Sequence, residues 1–348
     1  MACDNEGFRL HRWDGALHFE RWSIPDPPPG EVQVEVEACG IGLTVLNNTR
    51  GVNWRSPDLL PRVPGHEIVG RVVAVGDGAT SLAIGARVLA YFYLSCFSCS
   101  ECQAGREERC PRGSGRLGIH RDGGYARLVN LPAGNAIPFE SELDAAQAVV
   151  IPDAVATPVH VCRTRLGVQP GDRVAVVGAG GGVGAHLVQV ARACGAVVVG
   201  LDRTPPKLHL IESLGVIAVD SGRFDAVDLE AWGGVADAIV DFVGSPESLS
   251  WGLDHLAHGG QLCVLTTFRD VTLPLAPRDL VARELTVLGS HYASRREVGE
   301  AAALVSSGKV TPVVGSEVVP DTLGDVHQAL AAGTLIGRGA LRWDVRFP

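Results

Sequence analysis

Four cysteines in one short segment have the types and spacing of a metal site. They form the pattern Cys96-x2-Cys99-x2-Cys102-x7-Cys110, within 15 residues. Four thiolates can complete the tetrahedral shell of a zinc ion and leave no position open for a substrate. We therefore expect a closed, structural Zn2+ site here rather than four free surface cysteines. The other cysteines have no such spacing and are expected to be small buried residues: Cys3, Cys39, Cys162, Cys194 and Cys263.

A glycine-rich run offers a second kind of chemistry. Residues 173–184 read Arg-Val-Ala-Val-Val-Gly-Ala-Gly-Gly-Gly-Val-Gly, a strand-like segment followed by a tight turn and the start of a helix. Glycines allow a backbone to approach phosphate groups closely, and a helix N-terminus offers free N–H groups and the positive end of a dipole. A flexible loop is the alternative. The pattern predicts a site for the pyrophosphate of a dinucleotide.

An acidic residue indicates which dinucleotide is bound. The next expected strand ends in Asp202, 18 residues after Gly184. A carboxylate there would accept hydrogen bonds from the ribose hydroxyls and repel a 2′-phosphate, which favours NAD(H) over NADP(H). Arg203 beside it is the opposing feature, because an arginine there can hold a 2′-phosphate. The cofactor-binding residues expected in this part of the chain are Gly180, Gly181, Gly182, Val183, Gly184, Asp202, Arg203, Val243 and Thr266.

The elements that would position these sites differ between the two parts of the chain. Before residue 150, valines alternate with polar residues, as in 31–37, between Gly- and Pro-rich turns, which is typical of antiparallel β-structure. From near residue 155, strands and amphipathic helices such as 183–194 alternate, which predicts an α/β, doubly wound parallel sheet. Its six strands are expected at residues 173–178, 197–202, 216–220, 237–241, 261–266 and 285–290.

Length and charge limit the classes of function. The chain has 348 residues, enough for about two domains. A net charge of −9 without a Lys/Arg cluster argues against nucleic acid or an anionic membrane as a partner. The N-terminus has early acidic residues and no apolar core, so we expect a cytoplasmic protein. The uncharged stretch 174–191 approaches a membrane span in length, but five glycines favour a soluble fold.

These motifs together resemble the medium-chain dehydrogenase/reductase family, in its zinc-containing alcohol dehydrogenase branch. The resemblance rests on the four cysteines, the glycine-rich turn, Gly65-His-Glu67-Ile-Val-Gly70, Asp122-Gly-Gly-Tyr-Ala126 and Ile336-Gly-Arg-Gly339. It implies a Rossmann sheet inserted into a GroES-like, mainly-β catalytic domain, with the active site in the cleft between them and a homodimer or homotetramer as the assembly. The domains would be 1–154, with the zinc lobe at 95–112, then 155–290, and 291–348, which contains a helix at 297–307 and returns to the catalytic domain.

The resemblance also implies roles for single residues. His66 would be a ligand of a catalytic zinc, Glu67 would lie beside the metal or bind it, and Asp153 would be the third ligand. Thr44 matches the hydroxyl residue that touches the reacting oxygen and relays its proton, and Phe92 lies where the family lines its substrate pocket.

Two further residues match cofactor contacts of the family. Lys207 corresponds to a lysine that helps to hold the adenosine ribose, and Arg338 to an arginine that contacts the pyrophosphate.

The sequence departs from the family's pattern at the first catalytic ligand. That ligand is a cysteine in a Gly-x-Cys-x-Thr-Asp motif, whereas this chain has Gly42 at the cysteine position and Val45 in place of the aspartate. Asn47 stands where a proton-relay histidine is common, and is itself a candidate hydrogen-bond donor to the substrate. Cys39 lies three residues early and, in an extended segment, on the opposite face. Without the thiolate, a site of His66 with two carboxylates would bind zinc more weakly.

Three functions are compatible with these residues. The first is an NAD(H)-dependent alcohol dehydrogenase or carbonyl reductase, in which a second, catalytic Zn2+ polarises the carbonyl group. The second is a zinc-free, NADH-dependent reductase of an activated C=C bond in an enone or enoyl thioester, with His66 as a buried histidine bonded to Glu67. The third is a protein that binds NAD(H) without turnover. Substrate identity is left open by the sequence.

Overall fold

The computed structural model describes residues 3–52, 54–227, 229–268, 270–273 and 275–344. They form two compact units. The first unit takes the chain up to Asp153, Ala293–Ser306 and the chain from Val314 onward, and the second takes Ala154–Tyr292 and Ser307–Val313. The sequence motifs predicted that all of 291–348 belongs to the catalytic domain, whereas the segment Ser307–Val313 lies in the second unit.

The elements are numbered in chain order. The strands are β1 (Cys3–Leu10), β2 (Leu17–Ile24), β3 (Glu31–Ile41), β4 (Ile68–Val75), β5 (Arg87–Ala90), β6 (Leu128–Pro132), β7 (Ala136–Pro138), β8 (Arg173–Val177), β9 (Val197–Asp202), β10 (Ile217–Asp220), β11 (Ala236–Asp241), β12 (Leu256–Val264), β13 (Thr286–Gly289), β14 (Val314–Val318) and β15 (Arg338–Arg342). The helices are α1 (Leu43–Thr49), α2 (Ser100–Gln103), α3 (Ala145–Ala148), α4 (Ala156–Val159), α5 (Gly184–Ala193), α6 (Pro205–Ser213), α7 (Pro246–Asp254), α8 (Pro277–Arg283), α9 (Arg295–Ser306) and α10 (Leu323–Ala331).

The first unit is built on a mainly antiparallel sheet. Its strands run in the order β14-β15-β3-β4-β5-β7, and β6 also pairs with β3. Strand β3 shows why the valine alternation predicts this arrangement: Val32, Val34 and Val36 are all buried, and Glu35 between them is exposed. Gln33 is buried as well, and its amide donates to Asn130 at 3.0 Å. The predicted antiparallel part is confirmed.

The second unit contains the predicted parallel sheet. Six strands lie in the order β10-β9-β8-β11-β12-β13, and every neighbouring pair is parallel. This is the doubly wound order of a dinucleotide-binding sheet, in which the chain reverses direction across the sheet between β8 and β11. Ligands bind at the carboxyl ends of the strands beside such a reversal, so the fold places the glycine-rich turn after β8 at the expected binding edge.

One helical segment is long and apolar enough to be compared with a membrane span. It runs from Ala145 to Arg165 through α3, α4 and two π-helical turns, and 89% of its most apolar window is buried within the protein. That burial is the behaviour of a core helix. The uncharged stretch 174–191 is not one helix, since it contains β8 and most of α5.

Candidate active site and cofactor site

The four-cysteine lobe has the geometry of a zinc site. The sulfur atoms of Cys96, Cys99, Cys102 and Cys110 lie within 4.8 Å of one another. The Cys99–Cys102 pair is 3.5 Å apart and the Cys99–Cys110 pair 3.8 Å. A tetrahedron of sulfurs about 2.3 Å from a zinc ion has edges of about 3.8 Å, so these residues fit the metal. The backbone N–H of Ser98 helps to lower the pKa of Cys96 to about 5, whereas burial raises the pKa of Cys102 to about 12.

The glycine-rich turn follows β8 and opens onto α5. Gly178 has φ +83°, a left-handed conformation that favours glycine. A Cβ atom on Gly184 would lie 2.9 Å from Cα of Ala179. Any residue other than glycine at position 184 would therefore clash with the backbone of Ala179. A side chain on Gly180 would likewise meet Lys207, whose Cγ would be 2.9 Å from its Cβ. These contacts require small residues in the turn and keep it narrow, which fits the close approach of a pyrophosphate to a backbone.

Asp202 fixes this turn from the end of β9. Its Oδ2 atom accepts a hydrogen bond from Gly180 N at 3.0 Å, and its Oδ1 atom accepts one from Arg203 N at 2.8 Å. The side chain of Asp202 is buried, whereas Arg203 is exposed. The carboxylate therefore lies beside the turn and holds it in place, while its contact with a ribose stays a prediction.

The remaining predicted cofactor residues of the second unit follow β11 and β12. Val243 is exposed, and one of its methyl groups would lie 3.4 Å from a Cβ on Gly178. Thr266 packs against Gly244, whose added Cβ would be 2.7 Å from Cβ of Thr266. The structure thus brings Val243 to the glycine-rich turn and places Thr266 one strand further along the same sheet.

Sequence reasoning missed Asp241, which ends β11 and shapes this edge of the sheet. Its Oδ1 atom accepts hydrogen bonds from Val243 N at 2.6 Å and Gly244 N at 2.8 Å, and its Oδ2 atom accepts one from the Ser248 hydroxyl at 2.7 Å. The signal was present, because Asp241 ends an apolar strand as Asp202 does. Through these hydrogen bonds Asp241 positions the backbone of Val243 and Gly244 at this edge of the sheet.

In the first unit the structure brings together His66, Glu67 and Asp153, as the sequence predicted. Their ligand atoms lie within 4.8 Å of one another. His66 Nε2 is 3.5 Å from Asp153 Oδ2 and 3.6 Å from Glu67 Oε1. His66 and Glu67 directly precede β4, and Asp153 lies in the π-helical turn Ile151–Val155, a local irregularity that often marks functional positions. The Phe92 ring lies 4.6 Å from the His66 ring.

Arg338 is the fourth member of this cluster, and the sequence did not predict it there. Its Nε donates to Glu67 Oε2 at 3.0 Å, its Nη2 donates to Asp153 Oδ2 at 3.1 Å, and Nη2 also donates to Glu67 Oε1. Burial lowers the pKa of the guanidinium, but the charges of Glu67 and Asp153 outweigh burial and hold the pKa above its usual value. Burial raises the pKa of Glu67, and Arg338 opposes that rise. The cluster therefore already contains a permanent cation.

The absence of a side chain at residue 42 creates the space for this cation. A Cβ atom on Gly42 would lie under 3.0 Å from Cζ, Nη1 and Nη2 of Arg338. Gly42 has φ −137°, which any residue can adopt, so space and not backbone conformation excludes a side chain. The guanidinium occupies the volume where the family's cysteine would project.

These contacts test whether the cluster fits a catalytic zinc. Both oxygens of Glu67 and one oxygen of Asp153 accept hydrogen bonds from Arg338, so two of the three candidate ligands are bonded to a cation that would repel the metal. Cys39 does not join them: it lies on β3 with its sulfur 2.6 Å from where a Gly65 Cβ would be, beside Tyr125. With Arg338 in place, the residues do not fit a second zinc ion.

Two further predicted catalytic residues lie on α1, which begins directly after Gly42. Thr44 is exposed on this helix and Asn47 is half-buried. Their roles as proton relay and donor to the substrate stay predictions, as does the contact of Arg338 with the pyrophosphate.

Comparison with known proteins agrees with the arrangement of the two units. The family model described as "Alcohol dehydrogenase GroES-like domain" matches residues 28–141, and that described as "Zinc-binding dehydrogenase" matches residues 182–307. The chain is 33% identical over 322 residues to an alcohol dehydrogenase of Geobacillus stearothermophilus, covering 90% of this chain and 93% of that protein.

The chain is also similar to a solved alcohol dehydrogenase structure and to a reductase that acts on a coenzyme A thioester. A crystal structure of an NAD-dependent alcohol dehydrogenase is similar with a TM-score of 0.88 and 31% identity, covering 97% of this chain and 99% of that one. An acryloyl-coenzyme A reductase of Metallosphaera sedula is 27% identical over 325 residues, covering 92% of this chain and 95% of that protein.

Proposed function

The chain belongs to the zinc-containing alcohol dehydrogenase branch of the medium-chain dehydrogenase/reductase family, and we propose that it transfers hydride between NAD(H) and a carbonyl-bearing substrate. It is an oxidoreductase of the alcohol dehydrogenase type, with a GroES-like unit and a Rossmann unit. The observation that carries the cofactor proposal is the buried carboxylate of Asp202, which holds Gly180 N at 3.0 Å at the end of β9.

The residues of the second unit bind and orient the cofactor in this proposal. Gly182, Val183 and the N-terminus of α5 receive the pyrophosphate, and Asp202 receives the ribose hydroxyls. Because Asp202 already accepts hydrogen bonds from two backbone N–H groups, its carboxylate is fixed in direction before the cofactor arrives. Bound there, the cofactor supplies or accepts a hydride. The four-cysteine lobe would hold one structural zinc.

The first candidate reaction is the interconversion of an alcohol and a carbonyl compound. It is supported by the alcohol dehydrogenases among the relatives, which include those above 30% identity.

The second candidate is reduction of a C=C bond conjugated to a carbonyl, and one observation favours it. The volume beside Gly42 is taken by Arg338, so the thiolate ligand of a catalytic zinc has no place there. A conjugated substrate needs less polarisation than an isolated ketone, because the charge that develops on hydride addition is spread over an enolate. The acryloyl-coenzyme A reductases among the relatives support the same candidate.

The test is a panel of substrates with NADH and with NADPH. An aliphatic aldehyde, its alcohol, a cyclic enone and a short enoyl thioester would be assayed at 340 nm, with zinc per chain measured on the same preparation. Oxidation of NADH by the aldehyde supports the first candidate, and oxidation by the enone or thioester alone supports the second. Binding of NADH without turnover of any substrate would reject both.

The proposal also covers the localisation, the oligomeric state and the partners of the protein. We infer a soluble, cytoplasmic homodimer or homotetramer whose partner is its small-molecule substrate, without nucleic acid or membrane contacts. The net charge of −9 and the burial of the apolar helical segment support this.

A further inference from the structure

We propose that Arg338 is a catalytic residue that replaces the metal ion as the cation at the reacting oxygen, with its Nη1 group donating a hydrogen bond to the substrate carbonyl. This inference rests on the proposed hydride-transfer function. It differs from the expected pyrophosphate contact of Arg338, because it places the guanidinium at the reacting end of the substrate.

Two of the three nitrogen atoms of the Arg338 guanidinium are already used as donors. Nε and Nη2 donate to Glu67 and Asp153. Nη1 donates to no acceptor among residues 3–52, 54–227, 229–268, 270–273 and 275–344. The guanidinium is therefore held by its other two nitrogen atoms in one orientation, with one pair of N–H bonds left to bind a ligand.

The unused nitrogen atom lies on the side of the guanidinium that faces Gly42. A Cβ on Gly42 would come under 3.0 Å from Nη1 and Cζ. In the family's motif this is the position of a metal-binding thiolate. In this chain an N–H donor of Arg338 therefore occupies the position of a metal ligand. Asp153 contacts both the Arg338 guanidinium and His66.

Burial and fixed orientation give such a group the means to stabilise a transition state. A donor that is fixed before the reaction, in a site from which water is largely excluded, stabilises developing negative charge without reorganising. The side chain of Arg338 is 5% exposed and those of His66 and Glu67 are 1% and 0% exposed. A guanidinium is not deprotonated in proteins, so the group stays charged throughout the pH range of the reaction.

Reduction of an enoyl thioester illustrates the complete step. Hydride forms a new C–H bond at the β-carbon, NADH becomes NAD+, and the electron pair of the C=C bond moves to form the enolate. The enolate oxygen accepts the hydrogen bond from Nη1, and a proton from solvent then adds at the α-carbon. A guanidinium does not accept a proton near neutral pH, so Arg338 cannot act as the base that alcohol oxidation requires. In either direction the proton must therefore be exchanged with solvent or with another group.

The variant Arg338→Gln tests the proposal. Its kcat reports on a catalytic role of Arg338, and its Kd for NADH reports on a contact with the pyrophosphate. We expect kcat for the best substrate of the panel to fall about 100- to 1000-fold, the usual cost of losing one oxyanion donor. The Kd of NADH, measured by fluorescence titration, should change less than about 3-fold. A rise of Kd by 10-fold or more with kcat preserved would mean that Arg338 holds the pyrophosphate, and would overturn the proposal.

Removal of Arg338 leaves the buried carboxylate of Glu67 and the partly buried carboxylate of Asp153 without their cation, so this variant can fail to fold. The double variant Arg338→Gln with Glu67→Gln removes the cation together with one buried charge, and should fold while losing kcat to the same extent. Guanidinium ion at millimolar concentration should restore part of kcat to Arg338→Ala, and sodium at equal ionic strength should not. Absence of rescue together with wild-type kcat in the double variant would reject a catalytic role.

Metal content separates this inference from the proposed function. Wild-type protein that turns over a substrate and contains about one zinc ion per chain agrees with hydride transfer and with the role of Arg338. Wild-type protein that contains about two zinc ions per chain, with activity lost on chelation of the second, would overturn the role of Arg338 and leave hydride transfer intact. Wild-type protein without turnover on any substrate would reject hydride transfer and this inference with it.

Discussion

Gly42 and Arg338 are complementary in volume: a Cβ atom on Gly42 would lie 2.7 Å from Nη2 of Arg338 and still closer to Cζ and Nη1. The guanidinium cannot retreat freely, because it is bonded to Glu67 and Asp153. We therefore predict that Gly42→Ala destabilises the protein by about 1–3 kcal/mol, the usual cost of overpacking a buried site. Urea denaturation of the variant and the wild type measures this difference.

A second glycine provides the matched control for that variant. Gly299 is an exposed residue of α9, and no atom lies within 4 Å of an added Cβ. Gly299→Ala should stabilise the protein slightly, by about 0.5–1 kcal/mol, since alanine favours a helix. Equal effects of the two substitutions would show that Arg338 does not fill the space beside Gly42.

Zinc content should depend on residues 42 and 338 together. Gly42→Cys alone restores the family's ligand but places it against the guanidinium, so we expect zinc to stay at about one ion per chain. Gly42→Cys with Arg338→Ala removes the competing cation and frees Glu67 and Asp153, and should raise the content towards two. Elemental analysis of dialysed protein measures both.

The control for the zinc measurement is Cys99→Ser, which should lose the structural ion, because its sulfur lies 3.5 Å from Cys102 and 3.8 Å from Cys110. A second zinc ion in Gly42→Cys alone would contradict the arrangement of Arg338 described above.

The choice of cofactor should depend on the charge of Asp202. Asp202→Asn keeps the size of the side chain but loses charge-assisted hydrogen bonds, each worth about 1.5–3 kcal/mol. The Kd of NADH should therefore rise about 10- to 100-fold, while that of NADPH rises less because its phosphate no longer meets a carboxylate.

Asp220→Asn is the matched control for that titration. Asp220 is the register partner of Asp202 on the neighbouring strand, and it is exposed. Fluorescence titration should show no change of either Kd in this variant. An Asp202→Asn protein with unchanged preference for NADH would remove the basis for the cofactor assignment.

The sheets were predictable because their strands follow simple patterns of burial. Strand β9 occupies the predicted residues 197–202, since a central parallel strand is a continuous apolar run. Strand β12 begins at Leu256, five residues before the predicted 261, because His258-Gly259-Gly260 has the composition of a turn. The register of β11 and β12 shifts in this region, which is how the sheet accommodates the extra residues.

The carboxylate and histidine members of the cluster around His66 were predictable, but its cation was not. His66, Glu67 and Asp153 are recognised from local motifs. Arg338 lies 271 positions from Glu67, and no local pattern states which side chain fills the space that a missing thiolate leaves. Which distant side chain fills that space depends on tertiary packing. The sequence indicates only that Gly42 leaves a space.

The stability of the protein in acid should depend on a half-buried histidine of α10. His327 Nε2 lies 3.0 Å from the hydroxyl of the fully buried Tyr125, and burial lowers the pKa of His327 below its ordinary value. The unfolded chain therefore binds this proton more readily than the folded one below about pH 6.5. As pH falls from about 7.5 to about 5.5, the folded state should lose stability for this reason, whereas above about pH 7.5 the histidine should have no effect.

His327→Gln isolates that contribution, because glutamine can accept the Tyr125 hydrogen bond and does not titrate. The fall in Tm between about pH 7.5 and about pH 5.5 should be smaller in this variant than in the wild type, by differential scanning calorimetry. His209→Gln is the control, since the His209 side chain is 86% exposed, and it should keep the wild-type dependence on pH. If His327→Gln and His209→Gln lose equal stability over this range, the proton that destabilises the folded state binds elsewhere.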